Sequence, residues 1–273
     1  MSQRYFSPIS SETLKLPFYI TSIGLNISQK NIERKDGHID YQWLQCTEGE
    51  GIFLYKNKEY IIRPNQGIFI YNFDPHQYYP LKSNWKDFWI SFNGTQIENV
   101  LEALGFKSTE VYNISNPTHL LKKIEQCYTT CTLNTPLHII EASSYLYGFL
   151  FDLAKYTIPF DKESYYQQYC RISPVIKYIA QNYHQPISLE NLAKLLDITP
   201  QHFCVLFKDI YKMRPFEYIN YVRITKSKEL LVKNKKLSIA TIANKVGYDS
   251  PSYFCIQFKK IEKISPSNFR EIN

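Results

Sequence analysis

Two sets of side chains in this 273-residue chain have the types and spacing to do chemistry. The first is Trp85–Phe92 (WKDFWISF), which as an extended strand places Trp85, Asp87, Trp89 and Ser91 on one face and Phe88, Ile90 and Phe92 on the other. The all-apolar face is core. The mixed face suits a polar ligand with apolar sides: indole rings stack on C–H patches while Asp accepts hydroxyl hydrogen bonds, and a sugar offers both. Its alternative is a strand side open to solvent. The second set is Gln201, His202, Cys204, Val205 and Lys208, matched further on by Ser252, Tyr253, Cys255, Ile256 and Lys259. At helical spacing both groups lie away from the apolar positions Phe203, Leu206 and Phe207, and Phe254 and Phe258. Such faces can touch base edges through Gln, His, Ser and Tyr, thymine methyls through Val and Ile, and phosphates through Lys.

The second set belongs to an internal repeat of about fifty residues, SLENLAKLLDITPQHFCVLFKDIYKMRPFEY from Ser188 and SIATIANKVGYDSPSYFCIQFKKIEKISPSNF from Ser238. Each copy reads as a helix, a tight turn and a second helix. Asp197 and Gly247 stand where the turn needs a left-handed backbone, and the second copy carries one more residue in its turn. A helical packing repeat without a ligand has the same periodicity. Charge separates the two readings. Residues 171–273 hold 17 Lys and Arg against 8 Asp and Glu, whereas residues 1–170 hold 15 against 17, so the positive excess falls on the repeat, as nucleic-acid binding requires. Between the copies, Pro215–Lys233 reads as one helix, roughly 28 Å long at 1.5 Å per residue. That length can hold two recognition helices near the ~34 Å repeat of the DNA major groove. Lys212, Arg214, Arg223, Lys226 and Lys260 join Lys208 and Lys259 as phosphate contacts.

Elsewhere the sequence must supply scaffolds. Residues 1–16 read as an arm. From Pro17 to Phe92, short runs rich in Tyr, Ile, Phe and Trp, broken by Gly, Asn and Pro, predict an antiparallel sandwich or small barrel, with a hairpin turn at Lys56–Lys58. Three helices follow: Thr95–Leu104 with a Thr95/Glu98 capping box and Gly105 as its stop, one opened by Asn116-Pro117, and one opened by Thr135-Pro136. The stripes Leu120, Leu121, Ile124, Cys127, Cys131 and Ile139, Ala142, Leu146, Phe149, Leu150, Leu153 pack either on the strands or in a homodimer. Thr157–Gln168 is polar and reads as a linker, after which Ser173-Pro174 opens a helix. No apolar run approaches the roughly 20 residues of a membrane span and MSQRYFSPIS has no signal-peptide core, so a cytoplasmic protein without membrane contact is expected. Six cysteines without a CxxC pair fit reduced, buried thiols. No cofactor or metal is expected, since His76 stands alone in its turn and His38, followed by Asp40, has no second histidine nearby.

SLENLAKLL, FCVLFK, SIATIANKVGY, SYFCIQFKK and SPSNFR together resemble the tandem helix-turn-helix domain of the AraC/XylS family of bacterial transcription regulators. The resemblance implies a cupin-like effector-binding barrel ahead of the repeat, with RPNQGIFIY, PHQYYP and WKDFWISF as its strand, turn and strand. In sugar-responsive members, the effector-contacting positions before the closing strand run fall here on Asp87 and Trp89, the tyrosine of the preceding turn falls on Tyr78, and a basic position falls on Glu48. Asp87 and Glu48 depart from the family in charge. Where the family often has Ser-Arg, this chain has Cys204-Val205 and Cys255-Ile256, which removes the usual bidentate reader of guanine and predicts an A+T-rich operator.

The sequence therefore predicts an α+β multidomain protein. Residues 1–160 form a cupin-like antiparallel β-barrel with a helical dimerisation segment, 161–170 a linker, and 171–273 an all-α tandem helix-turn-helix domain. The expected function is a non-enzymatic, homodimeric regulator, an activator on family grounds, that binds double-stranded operator or promoter DNA under control of a small-molecule effector such as a sugar. RNA polymerase is the further partner activation implies. The rival reading is a cupin-type metalloenzyme or protein-interaction module fused to a basic helical DNA-binding tail.

Overall fold

The aromatic and β-branched runs of the first half fold into strands β1 (Gln3–Phe6), β2 (Tyr19–Ser28), β3 (Ile32–Arg34), β4 (Tyr41–Glu48), β5 (Gly51–Tyr55), β6 (Lys58–Ile62), β7 (Gln66–Ile70), β8 (His76–Pro80), β9 (Lys86–Asn93), β10 (Glu110–Ile114) and β11 (Thr157–Pro159). Helices α1 (Ile97–Leu104), α2 (Pro117–Thr132) and α3 (His138–Tyr156) accompany them. The computed structural model describes residues 2–82, 84–133, 135, 137–160 and 165–273. The chain divides into two compact units, Met1–Tyr166 and Gln167–Asn273.

In the first unit a seven-stranded sheet (β1-β2-β9-β4-β7-β10-β11) faces a four-stranded one (β3-β8-β5-β6). The large sheet is buried on both faces, which are largely apolar, with Gln42, Asp87 and Ser91 as polar residues on the face between the sheets. On one face Tyr41, Trp43, Phe69, Ile90 and Phe92 join the stripes of α2 and α3 in one core. On the other, Leu44, Cys46, Ile68 and Ile70 meet Phe53, Ile62 and Tyr78 of the small sheet. Burying both faces explains why the first six residues of β4, Tyr41–Cys46, are all buried, Gln42 and Gln45 included. The expected barrel is seen as two facing sheets, with no ladder joining them among the described residues. At Gly49 (φ +74°) the chain turns out of the large sheet and into the small one, so β5 pairs with β6 and β8 instead of β4. Three tryptophans are seated where the opposing residue lacks a side chain. A Cβ on Gly24, Gly51 or Gly67 would lie 2.3 Å from an indole atom of Trp89, Trp85 or Trp43 respectively.

Local chemistry accounts for most element ends. Lys56 and Asn57, both at positive φ, make the two-residue hairpin turn, Asn116 caps α2 through the His119 amide at 3.3 Å, and Gly105 ends α1 in the left-handed region. Several expectations are corrected. The arm contains β1, paired along β2. Helix α1 starts at Ile97 without a side-chain cap, because the Thr95 hydroxyl donates to the Leu16 carbonyl. Pro136, expected to open α3, lies outside the described residues, as do residues 161–164 of the predicted linker. Thr157–Pro159 is a strand against β10, and the next helix, α4 (Tyr165–Asn182), already runs before Pro174 and carries it inside. Proline there removes one helical hydrogen bond without ending the helix.

In the second unit α4 is followed by α5 (Leu189–Lys194), α6 (Pro200–Tyr211), α7 (Pro215–Lys233), α8 (Ile239–Lys245), α9 (Pro251–Glu262) and α10 (Pro266–Ile272). The two sequence copies become two cores: Leu192, Ala193, Phe203 and Phe207 with the α4 residues Ile172, Val175 and Ile179 in one, and Ile242, Ala243, Phe254 and Phe258 in the other. Helix α7 serves both, giving Ile219 to the first and Ile224 and Leu231 to the second. Ser188 and Ser238 cap α5 and α8, and Thr199 and Ser250 cap α6 and α9, each accepting from a backbone amide three residues on. No helix among the described residues is long and apolar enough to cross a membrane.

Candidate functional site

The mixed face of β9 is not a solvent side. It points between the two sheets, where Trp85 and Ser91 are 1% exposed and Asp87 is fully buried. Strand pairing decides its neighbours. Trp89 pairs with Gly24 of β2 and Leu44 of β4, Asp87 with Cys46, and Ser91 with Gln42. From β1, Phe6 stands 6.4 Å from the Trp89 ring. From β8, Tyr78 meets Trp85 edge-on at 5.9 Å and stacks on His76 at 5.9 Å.

These buried groups share one property. Both carboxylate oxygens of Asp87, Trp85 Nε1, Ser91 Oγ, Gln42 Oε1, Arg34 Nη1 and His76 Nε2 have no protein hydrogen-bond partner. Unpaired buried polar atoms are uncommon, because each costs the desolvation of the group. Seven such atoms lie among the apolar residues between the sheets. Burial raises the Asp87 carboxyl well above the usual carboxylate range, opposed by the side chains of Gln29 and Arg4. Gln29 comes near without completing a hydrogen bond to Asp87. Burial also pushes the Tyr78 hydroxyl up to about 12, with Arg34 opposing and Asp87 reinforcing the shift. His76 is lowered, chiefly by burial. Its Nδ1 lies 2.7 Å from the Asp74 carbonyl, an arrangement in which Nδ1–H donates and Nε2 remains an acceptor.

Of the four residues expected to meet an effector, Tyr78, Asp87 and Trp89 come together between the sheets. Glu48 does not join them: at the end of β4 its exposed carboxylate accepts from Lys86 Nζ at 2.6 Å. Gln42, Arg34 and His76 were not legible as site residues, because three different strands bring them to the interior. A hint lay in β4, where Gln42 alternates with the core residues Tyr41 and Trp43. No cluster of three His, Cys, Asp or Glu able to hold a metal occurs among the described residues.

On the other unit, α6 exposes Gln201, His202, Val205 and Lys208, and α9 exposes Ser252, Tyr253, Ile256 and Lys259. Cys204 and Cys255 are half-buried against their cores, which leaves Val205 and Ile256, 61% and 63% exposed, as the aliphatic groups on these faces. The extra residue of the second copy is Asp249, inserted between Tyr248 and the cap Ser250. Asp197 and Gly247 both take positive φ, as their turns require. Exposed Asp209 on α6 stands where α9 has Lys260, a difference of sign that the repeat pattern concealed. Arg223 is corrected from a phosphate contact to a clamp: Nε donates to the Tyr183 carbonyl at 2.7 Å, Nη2 to the Gln185 carbonyl at 2.9 Å, and the guanidinium lies over the Tyr248 ring.

Residues 26–150 match the AraC-like ligand binding domain family, and residues 192–272 match a helix-turn-helix domain family. The lactose operon transcription activator of Staphylococcus xylosus is 28% identical over 82% of this chain and 81% of its own. The raffinose operon transcriptional regulatory protein RafR of Pediococcus pentosaceus is 24% identical over 90% of this chain and 89% of its own. Among solved structures, the C-terminal domain of the response regulator yesN from Fusobacterium nucleatum is 28% identical, covering 35% of this chain and 93% of that one with a TM-score of 0.34. A ligand-binding domain joined to a duplicated helix-turn-helix defines a ligand-responsive, DNA-binding transcription regulator. Through both matched domains the chain is similar to regulators of the AraC type.

Proposed function

We propose that this regulator is a cytoplasmic homodimer that activates transcription when a sugar binds between the two sheets of its first unit. The observation that carries the proposal is Asp87: a buried carboxyl with both oxygens unpaired, on the same strand face as half-buried Trp89. Asp87 accepts sugar hydroxyls, Trp89 stacks on a C–H face, and Tyr78 closes the wall from the opposite sheet. The names of the two relatives, one for a lactose and one for a raffinose operon, support a carbohydrate effector.

Strand β1 links this site to the rest of the chain. Its exposed residues Arg4 and Phe6 lie near Asp87 and Trp89 respectively, so a bound sugar favours one position of the arm over another. Such differential binding is all that a ligand switch requires. Operator contacts fall to Gln201, His202 and Val205 on α6 and to Ser252, Tyr253 and Ile256 on α9, with Lys208 and Lys259 on phosphates. RNA polymerase is the partner of the activated state. The chain acts without catalysis, as a regulator like its relatives, whose names are those of transcription regulators.

Calorimetry of the full chain with a panel of sugars tests the site. At least one sugar is expected to bind, and Trp89→Ala to weaken it about tenfold or more. Unchanged affinity in the variant would move the effector away from this interior.

A further inference from the structure

The two helix-turn-helix copies share a fold and differ in charge. From Tyr183 to Met213 the first holds 3 Lys and Arg against 3 Asp and Glu, whereas the matched stretch of the second, Lys233 to Ile264, holds 7 against 2. Four exchanges fall where a duplex would pass, since the recognition helix of such a motif enters the major groove and the helix before it crosses the phosphate backbone. Ahead of α8 the Leu237 amide donates to the Asn234 carbonyl at 3.0 Å and Leu237 packs on the second core, a turn that leaves exposed Lys235 and Lys236 at its tip. Ahead of α5 these positions hold Gln185 and Pro186, and the guanidinium nearby, Arg223, is occupied by the Tyr183 and Gln185 carbonyls. The first turn of α5 carries exposed Glu190 where α8 has Ala240, and exposed Asp209 of α6 stands where α9 has Lys260.

Groups that distinguish bases are distributed the other way. Helix α6 exposes Gln201 and His202, and a glutamine amide gives and takes hydrogen bonds in the pattern that adenine N7 and N6 present. Helix α9 exposes Ser252 and Tyr253, whose hydroxyls each donate and accept and so suit any base edge. Gln257 of α9 is half-buried at the position of Leu206, which packs on the first core.

We propose that the two copies divide the work on DNA. The second anchors the chain on phosphates through Lys235, Lys236 and Lys260, with little regard to sequence, because phosphate contacts carry none. The first, whose acids Glu190 and Asp209 oppose the backbone, decides through Gln201 and His202 which sequence is held. An operator for this chain then has one stringent half-site under α6 and one tolerant half-site under α9, about ten base pairs apart. The inference rests on the DNA-contact reading above and adds the unequal roles of the two copies and the two loop lysines, which no helix pattern singles out.

The test uses the full chain and the DNA it selects from a random library, with each base pair of the selected site exchanged in turn and binding followed by fluorescence anisotropy across salt. Base pairs whose preference is lost in Gln201→Ala mark the half-site under α6, and those a helical turn away lie under α9. Exchanges under α6 should weaken binding about tenfold or more each, and those under α9 less than about threefold. Lys235→Gln combined with Lys236→Gln, with native circular dichroism as the check on folding, should reduce the log-log salt slope by about 2 while leaving the base preferences unchanged. Lys260→Gln, on a different element, should reduce it by about 1 and serves if the loop variant misfolds. Gln201→Ala should leave the slope unmoved. Equal costs under both helices, a salt slope that neither lysine variant changes, or a Gln201→Ala chain that keeps every preference overturns the division of work and leaves DNA binding standing. A chain that selects no DNA overturns it together with the DNA-contact reading.

Discussion

At the scale of single residues, Asp87 carries the most information because its surroundings work against its charge. Burial raises its pKa in the folded chain above the unfolded value of about 3.9, so the folded state binds this proton more tightly than the unfolded state does. The stability that this group contributes is complete below about pH 4 and is lost as pH rises through the raised folded value. Asp87→Asn should therefore raise the melting temperature of the first unit at pH 7, by about 2–4 °C for each kcal/mol regained, with the gap to wild type closing below about pH 4. Thermal melts across pH measure this, and a variant less stable than wild type at pH 7 would show that the carboxylate has a stabilising partner. Asp87 and Trp89 were legible because strand alternation alone puts them together. Arg34, Gln42 and His76 were not, since tertiary pairing of separate strands decides which way each faces. Arg223 looked like a phosphate contact because no sequence pattern reveals two backbone carbonyls waiting beside it.

At the scale of elements, α3 carries two stripes. The inner one, Ala142, Leu146, Phe149, Leu150 and Leu153, packs into the core on the large sheet, as helical spacing predicts. The outer one, Ile140, Ser144, Tyr147, Gly148 and Phe151, is also largely apolar, with Ile140, Tyr147 and Phe151 more than half exposed and open space where a Gly148 Cβ would stand. An apolar helix face with small residues between large ones suits a second helix, and a second copy of α3 gives a symmetric pair. Ile140→Glu combined with Phe151→Glu should convert the protein to a monomer in sedimentation velocity while leaving its circular dichroism native; a persistent dimer would exclude this face. Helix spacing showed the inner stripe; the outer one emerged only from the exposures in the folded chain. Helix α7 was read correctly from Pro215 to Lys233 because nothing in it competes with helix formation. Helix α4 was read too short because proline favours a helix start, a local preference that packing of Ile172, Val175 and Ile179 overrides. The brief strands β3 and β11 have too few residues to alternate visibly and exist through their partners.

At the scale of the whole molecule, two units of different chemistry share one chain: a β-rich unit whose apolar interior holds a few unpaired polar groups, and a basic helical unit with two exposed helix faces. The charge difference between the halves made the second unit's role legible before any fold was known, whereas the place of the effector depended on which strand faces turned inward. Effector control requires that events in the first unit change DNA binding by the second. Its most direct test starts with DNA selected by the full chain from a random library, and follows its binding by fluorescence anisotropy with and without the sugar that calorimetry identifies. The selected sites should be A+T-rich, without guanine contacts opposite both α6 and α9. Affinity should fall with a log-log salt slope of roughly −5 if about six phosphates are neutralised. The sugar should shift the dissociation constant by about fivefold or more in the wild type and leave Trp89→Ala unmoved. A DNA affinity that is flat in salt, or one that no bound sugar alters, would contradict the account.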